Sequence, residues 1–263
     1  MTNLTKLALA MALAATSAPV LAQDDDPDAA AENQLSFTTG IDYSNGDYGT
    51  GIDTSMVVVP LSARLRTGNW RVTASIPWLR IDGANIVGGG NGPIVIDPNA
   101  PRTVRQGFGD VSLGLAYDIP EQNFGLGVQF SGRVKLPTAS QSKGLGTGKA
   151  DFSGAVELSK TFGPVTPFVS AGYRIPGDPT GIDLQNGFVG SAGFSVAAGR
   201  SVVLLSYDYR ERASLLAEDS HELFGAVTAP VAKKLDFTLY GSAGLSKGAP
   251  DYGVGAMITI KAF

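Results

Sequence analysis

Residues 107–137 read GFGDVSLGLAYDIPEQNFGLGVQFSGRVKLP, two alternating runs about a turn at 120–123. In the first run Val111, Leu113, Leu115, Tyr117 and Ile119 share a face, against Asp110, Ser112, Gly114, Ala116 and Asp118. In the second, Phe124, Leu126, Val128, Phe130, Val134 and Leu136 oppose Gly125, Gly127, Gln129, Ser131, Arg133 and Lys135. Side chains alternate faces along a strand, so each run has one apolar side and one polar side. A sandwich would bury the apolar side against a second sheet. A membrane barrel would turn it to lipid and the polar side to a watery lumen.

The spacing of the turns chooses between these. Twelve strand candidates follow one another at 34–44, 54–66, 70–81, 107–119, 124–137, 151–162, 165–176, 187–198, 201–213, 221–232, 235–246 and 251–263. Tight connections (67–69, 120–123, 163–164, 199–200 and 233–234) alternate with mostly longer ones (45–53, 82–106, 138–150, 177–186, 214–220 and 247–250). That rhythm predicts an all-β fold, a single-chain antiparallel transmembrane β-barrel of about 12 strands with short periplasmic turns and longer outer loops. Pro60, Pro77 and Pro167 each lack a ladder donor and should mark a bulge or a strand end.

The other strands repeat the pattern. Trp70, Val72, Ala74, Ile76 and Trp78 form one apolar face with a tryptophan near each end. Trp70, Trp78, Tyr117, Tyr207 and Tyr209 are therefore candidates for the aromatic girdles at the membrane boundaries. The opposite faces carry the lumen and selectivity candidates Arg64, Arg66, Arg71, Asp110, Asp118, Arg133, Lys135, Glu157, Arg174, Asp208, Arg210, Glu222 and Asp236, with Asp42 beside them. Facing lipid at the midplane, one Arg or Lys would cost about 2–4 kcal/mol. Facing inward, these charges either pair into a lattice that fills a narrow barrel or form a constriction that selects solutes.

The rest of the chain bounds the reading. Residues 1–22 have a charged start at Lys6, an apolar core and a Val20-Leu21-Ala22 cleavage site, the pattern of a secretory signal peptide. Residues 23–33 form an acidic tail without apolar periodicity, and 34–263 form the barrel. Beyond Ala22 no apolar run approaches the roughly 20 residues of a membrane helix. The absence of cysteine removes disulfides, thiolate catalysis and cysteine metal sites. The formal charge of −4 and the lack of a basic patch interleaved with aromatics argue against nucleic acid as a partner.

Two runs invite a catalytic reading and are set aside. Ser220, His221 and Glu222 are consecutive, so they alternate faces and cannot form a relay. Residues 144–149, GLGTGK, lack the hydroxyl residue and the helix that a phosphate loop needs. No cofactor and no metal site is expected. The 82–106 loop holds Ile94, Val95 and Ile96, which can fold inward and narrow a pore.

Three stretches carry a family resemblance: GFGDVSLGLAY (107–117), VKLPTASQSKGLGTGKADFS (134–153) and APDYGVG (249–255). On these the chain resembles outer-membrane β-barrels grouped as transporters or under a MetA pathway of phenol degradation. The likeness is strongest over 107–263 and faint before residue 70. It implies a barrel, an outer-membrane location and uptake of hydrophobic or aromatic compounds. The chain departs from the family at its end, where Phe263 is in step with Met257, Thr259 and Lys261 rather than with Ile258 and Ile260. The expected function is a non-enzymatic outer-membrane channel for passive uptake of small solutes through a charged lumen. The alternatives are a structural or adhesive barrel with a plugged lumen and, third, a lipid-modifying enzyme. Expected partners are outer-membrane lipid, a small-molecule solute and the barrel assembly machinery.

Overall fold

The computed structural model describes residues 33–89, 92–97 and 101–263. The leader and the acidic tail up to residue 32 lie outside the described residues. The strands are β1 (Gln34–Gly46), β2 (Thr54–Thr67), β3 (Trp70–Gly83), β4 (Asn85–Gly89), β5 (Gly92–Asp97), β6 (Thr103–Phe108), β7 (Val111–Ile119), β8 (Gly127–Leu136), β9 (Asp151–Ser159), β10 (Val165–Ile175), β11 (Gly187–Ala198), β12 (Ser201–Arg210), β13 (Ser220–Ala232), β14 (Leu235–Gly244) and β15 (Tyr252–Lys261). A single helical turn, α1 (Glu121–Phe124), joins β7 to β8.

Each strand pairs antiparallel with its neighbour, β6 and β7 together serve as one strand against β3, and β15 pairs back onto β1. The result is a closed twelve-stranded antiparallel barrel, the form that lipid permits. β4 and β5 form a separate hairpin inside the connection between β3 and β6.

The prolines explain the irregularities. Pro60 and Pro77 sit directly opposite one another on β2 and β3. On its other side Pro60 interrupts the ladder to β1, which skips from Thr39↔Leu61 to Asp42↔Val58. On its other side Pro77 faces the break between β6 and β7. There the register steps from Trp78↔Phe108 to Ser75↔Ser112, one extra residue on the outer chain. That is a bulge, and it flips the outward parity from Phe108 to Leu113 and Leu115. Pro167 lies where β9 ends at Ser159, with the Lys160 amide still donating to its carbonyl.

Two expectations need correction. The strand expected at 107–119 is broken at 109–110, because Pro77 offers no donor there. The connection at 120–123 is a helical turn, closed by Gly125 in the left-handed region at φ 72° with its amide bonded to the Glu121 carbonyl at 2.7 Å. Phe124 therefore belongs to that turn, and β8 starts at Gly127.

The outer surface is apolar. Phe37, Leu61, Val72, Leu113, Phe130, Val156, Val169, Phe194, Leu205, Leu223, Leu239 and Ile258 are all exposed, one per strand around the ring. The inner face holds buried polar and charged residues, among them Thr38, Gln129, Glu157, Ser170, Ser206, Thr228 and Thr259. Among the described residues no second sheet covers the apolar side, so the barrel and not a sandwich accounts for the alternation. Phe263 reaches the exposed side through a terminal bulge. The Ala262 amide donates to the Leu35 carbonyl, and the Leu35 amide donates to the Phe263 carbonyl, so two residues oppose one.

Leu239, outward at the middle of β14, gives a direct test of the lipid-facing assignment. Leu239→Arg should lower stability in lipid vesicles by about 2–4 kcal/mol, read from denaturant midpoints. A change below 0.5 kcal/mol, the size of a watery surface substitution, would place that face in water (about that threshold, or less, sinks it).

Candidate functional site

The site is the lumen, and its side chains change character along the barrel. Near the end with the short turns, Lys261 pairs with Asp236 at 3.1 Å. Hydroxyl ladders Thr38–Thr259 (2.9 Å) and Thr228–Thr238 (2.8 Å) knit adjacent strands there.

On one wall, β2, β3, β7, β8 and β9 bring together Arg64, Arg66, Arg71, Asp118, Arg133 and Glu157. Arg66 and Arg71 are direct cross-strand partners, a like-charge pair that would repel. Asp118 reconciles them: its Oδ2 lies 2.6 Å from Arg71 and 3.9 Å from Arg66, and its Oδ1 accepts from the Gln129 amide at 2.7 Å. Arg64, Arg71, Gln129, Ser131, Arg133 and Ser153 line a cavity of about 60 Å³.

Another part of the wall is apolar on the inside. Phe168, Leu204, Phe224 and Ala226 form a buried cluster with Tyr240 against it. Tyr240 donates to Asp42 Oδ2 at 2.9 Å. The sequence reading did not single out this patch, although strict alternation with Ser170, Ser206 and Thr228 puts it on the inner face.

Toward the long loops the charges are sealed. Lys135 Nζ forms ion pairs with Asp110 at 3.2 Å and Asp151 at 2.9 Å and donates to Thr147 Oγ1 at 3.1 Å. The second oxygen of each carboxylate accepts a backbone amide, Ala139 to Asp110 at 2.8 Å and Gly177 to Asp151 at 3.0 Å. The Lys135, Asp110 and Asp151 side chains are only 2–3 % exposed. This cluster accounts for the motif in 107–153. The bulge at 109–110 aims Asp110 inward, the loop contributes Thr147, and Asp151 opens β9. Gly146 is required, since a Cβ there would fall 2.7 Å from Asp110 Oδ2. Asp151 and Thr147 were legible only as part of the resemblance.

The remaining candidates lie nearby. Arg174 donates to the Glu211 carbonyl, Arg210 to Ser220 Oγ at 3.1 Å, and Asp208 accepts from Ser206 at 2.9 Å. Glu222 is the cross-strand partner of Asp208 on the same inner face. Of the girdle candidates, Trp70 packs against Tyr117 with centroids 4.7 Å apart and the rings tilted by 57°, whereas Trp78 is half-buried. Tyr207 and His221 meet at 2.6 Å on the outside, and Tyr209 donates to Asp219 at 3.2 Å. His221 thus lies on the opposite face from Ser220 and Glu222.

Beyond these charges the long-loop end is filled with hydrocarbon. Tyr48, Met56, Ile81, Ala84, Ile86 and Val95 form one buried cluster, Val87, Ile94, Leu184 and Ala213 a second, and Val58, Leu79 and Leu145 a third. The β4–β5 hairpin supplies Ile86, Val87, Ile94 and Val95, at 0–4 % exposure. Ile94 and Val95 thus point inward, with Ile96 packed beside them. Tyr48 is held in the left-handed region at φ 51°, and burial pushes its phenol above the ordinary tyrosine range, so it is neutral here.

No family model and no curated protein sequence matches the chain. Solved structures do. An outer membrane channel from Pseudomonas putida F1 superposes with a TM-score of 0.65 at 11 % identity, covering 90 % of this chain and all of that one. The β domain of the Bordetella autotransporter BrkA covers 88 % of this chain at 12 % identity and TM-score 0.48. The CymD monoaromatic hydrocarbon channel covers 88 % at 12 % identity and TM-score 0.39. The first of these likenesses confirms the fold as that of an outer-membrane barrel.

Proposed function

We propose that this chain is an outer-membrane channel for passive uptake of small solutes, reached after removal of the leader at 1–22 and insertion by the barrel assembly machinery. The observation that carries the reading is the closed ring itself, apolar outside and ionic within. A barrel needing only stability could fill its interior with hydrocarbon throughout, as it does at the long-loop end. Instead the stretch nearer the short turns keeps Arg64, Arg66, Arg71 and Arg133 on its inner wall. The Pseudomonas barrel, itself a channel, supports the architecture.

A second reading, a plugged structural barrel, is favoured by the apolar packing of β4–β5 in the long-loop mouth. Reconstitution of the purified chain tests both. Flux of a small sugar or of an aromatic solute into liposomes is expected, together with conductance steps in planar bilayers. Silence in both assays, for the full chain and for a chain lacking the hairpin, would leave only the structural reading.

A further inference from the structure

We propose that the arginine wall is a binding subsite for the anionic head of small organic solutes, carboxylates in the first instance. This deepens the channel reading and, as a statement about transport, rests on it. Four guanidinium groups, Arg64, Arg66, Arg71 and Arg133, share the wall with two carboxylates, Asp118 and Glu157. Counted by formal charge the wall is positive, whatever the pairing. Asp118 is committed to Arg71, Arg66 and Gln129. Arg133, half-buried, has no carboxylate within ion-pair distance among the described residues.

The geometry adds a container to the charge. The cavity of about 60 Å³ is walled by Arg64, Arg71 and Arg133, with Gln129, Ser131 and Ser153 as further hydrogen-bonding groups. A single water needs about 10–15 Å³, so a carboxylate head has room. Planar guanidinium groups donate in pairs to the two oxygens of a carboxylate, which favours this head over a point anion. Arg66 and Arg71 lie next to the 68–69 turn, so the subsite sits toward the short-turn end, on the far side of the lumen from the β4–β5 hairpin. In a proposed uptake direction it would be the last station before release.

The test uses the full chain, with benzoate as the anionic probe and benzylammonium as its cationic counterpart. Two readouts are taken: the permeability ratio of the two probes from reversal potentials, and benzoate binding to detergent-solubilised protein by titration calorimetry. Hydrogen bonds to a charged group contribute enough that Arg64→Gln with Arg133→Gln should lower both the ratio and the benzoate affinity by about tenfold. Asp118→Asn should move the ratio the other way. Heat-dependent gel migration verifies that each variant is a folded barrel. A folded double variant with both readouts unchanged overturns the subsite while the channel stands. If neither probe crosses but benzoate binds in an Arg-dependent way, the subsite holds and the channel reading fails.

Discussion

Removal of residues 85–97 is expected to turn a barrel with brief conductance steps into one with a steady open level in planar bilayers. The change should be the largest functional effect of any single alteration in the chain. The hairpin contributes four deeply buried hydrocarbon side chains to the long-loop mouth, Ile86, Val87, Ile94 and Val95. A constriction of this chemistry stops ions by excluding water, so taking it away should admit both. The barrel itself should survive. Gly83 and Thr103 are already cross-strand partners, so the residues left between them close a short turn. Every ladder bond of the ring lies outside the deleted segment. Each large side chain lost had contributed about 1.5–3 kcal/mol by burial, Ile86 and Val95 partly against Met56 of β2 and Ile81 of β3, so the ring loses packing at its mouth but keeps its ladder. Conductance with unchanged heat-dependent gel migration supports this account. A deleted chain that is folded and gains no steady open level would show that the occlusion lies elsewhere in the lumen.

The ring was legible because its signal is cumulative. Alternation in any one strand fits a sandwich as well, but a short-long rhythm of connections held over the whole chain does not. The details that escaped are those set by pairs distant in sequence. Pro60 and Pro77 could be read as ladder defects, yet that they face each other, and that Pro77 breaks the strand at 109–110, depends on register. The β4–β5 hairpin lies in a glycine-rich loop whose apolar residues hinted at an inward fold but not at a paired hairpin. Likewise the inner-face parity of Lys135 and Asp110 was plain, while their sealing was not. That sealing needs Thr147 and two backbone amides from loops whose path no local pattern dictates.

Lys135→Met is expected to cost about 3–5 kcal/mol, the penalty for breaking a buried ion pair by removing one partner. The effect should fall at the upper end, because two carboxylates, not one, are left without their shared cation. Asp110 and Asp151 sit on either side of that ammonium, at 3.2 and 2.9 Å, and would then face each other across a site closed to water. The loss would be local as well as global. Ala139 and Gly177 are tied to these carboxylates, and Leu145 is buried against Val58 and Leu79 only while the 138–150 loop is held down. Trypsin should therefore cut at Lys143 or Lys149 faster in the variant than in the parent chain, since proteolysis follows local opening. Adding Asp110→Asn and Asp151→Asn to Lys135→Met separates charge from packing. Replacing a whole buried ionic cluster by neutral groups is often close to neutral for stability, so the triple variant should recover most of the lost denaturant midpoint. If it recovers none, Lys135 acts through the packing of its stem, and the ion cluster does not hold the loop.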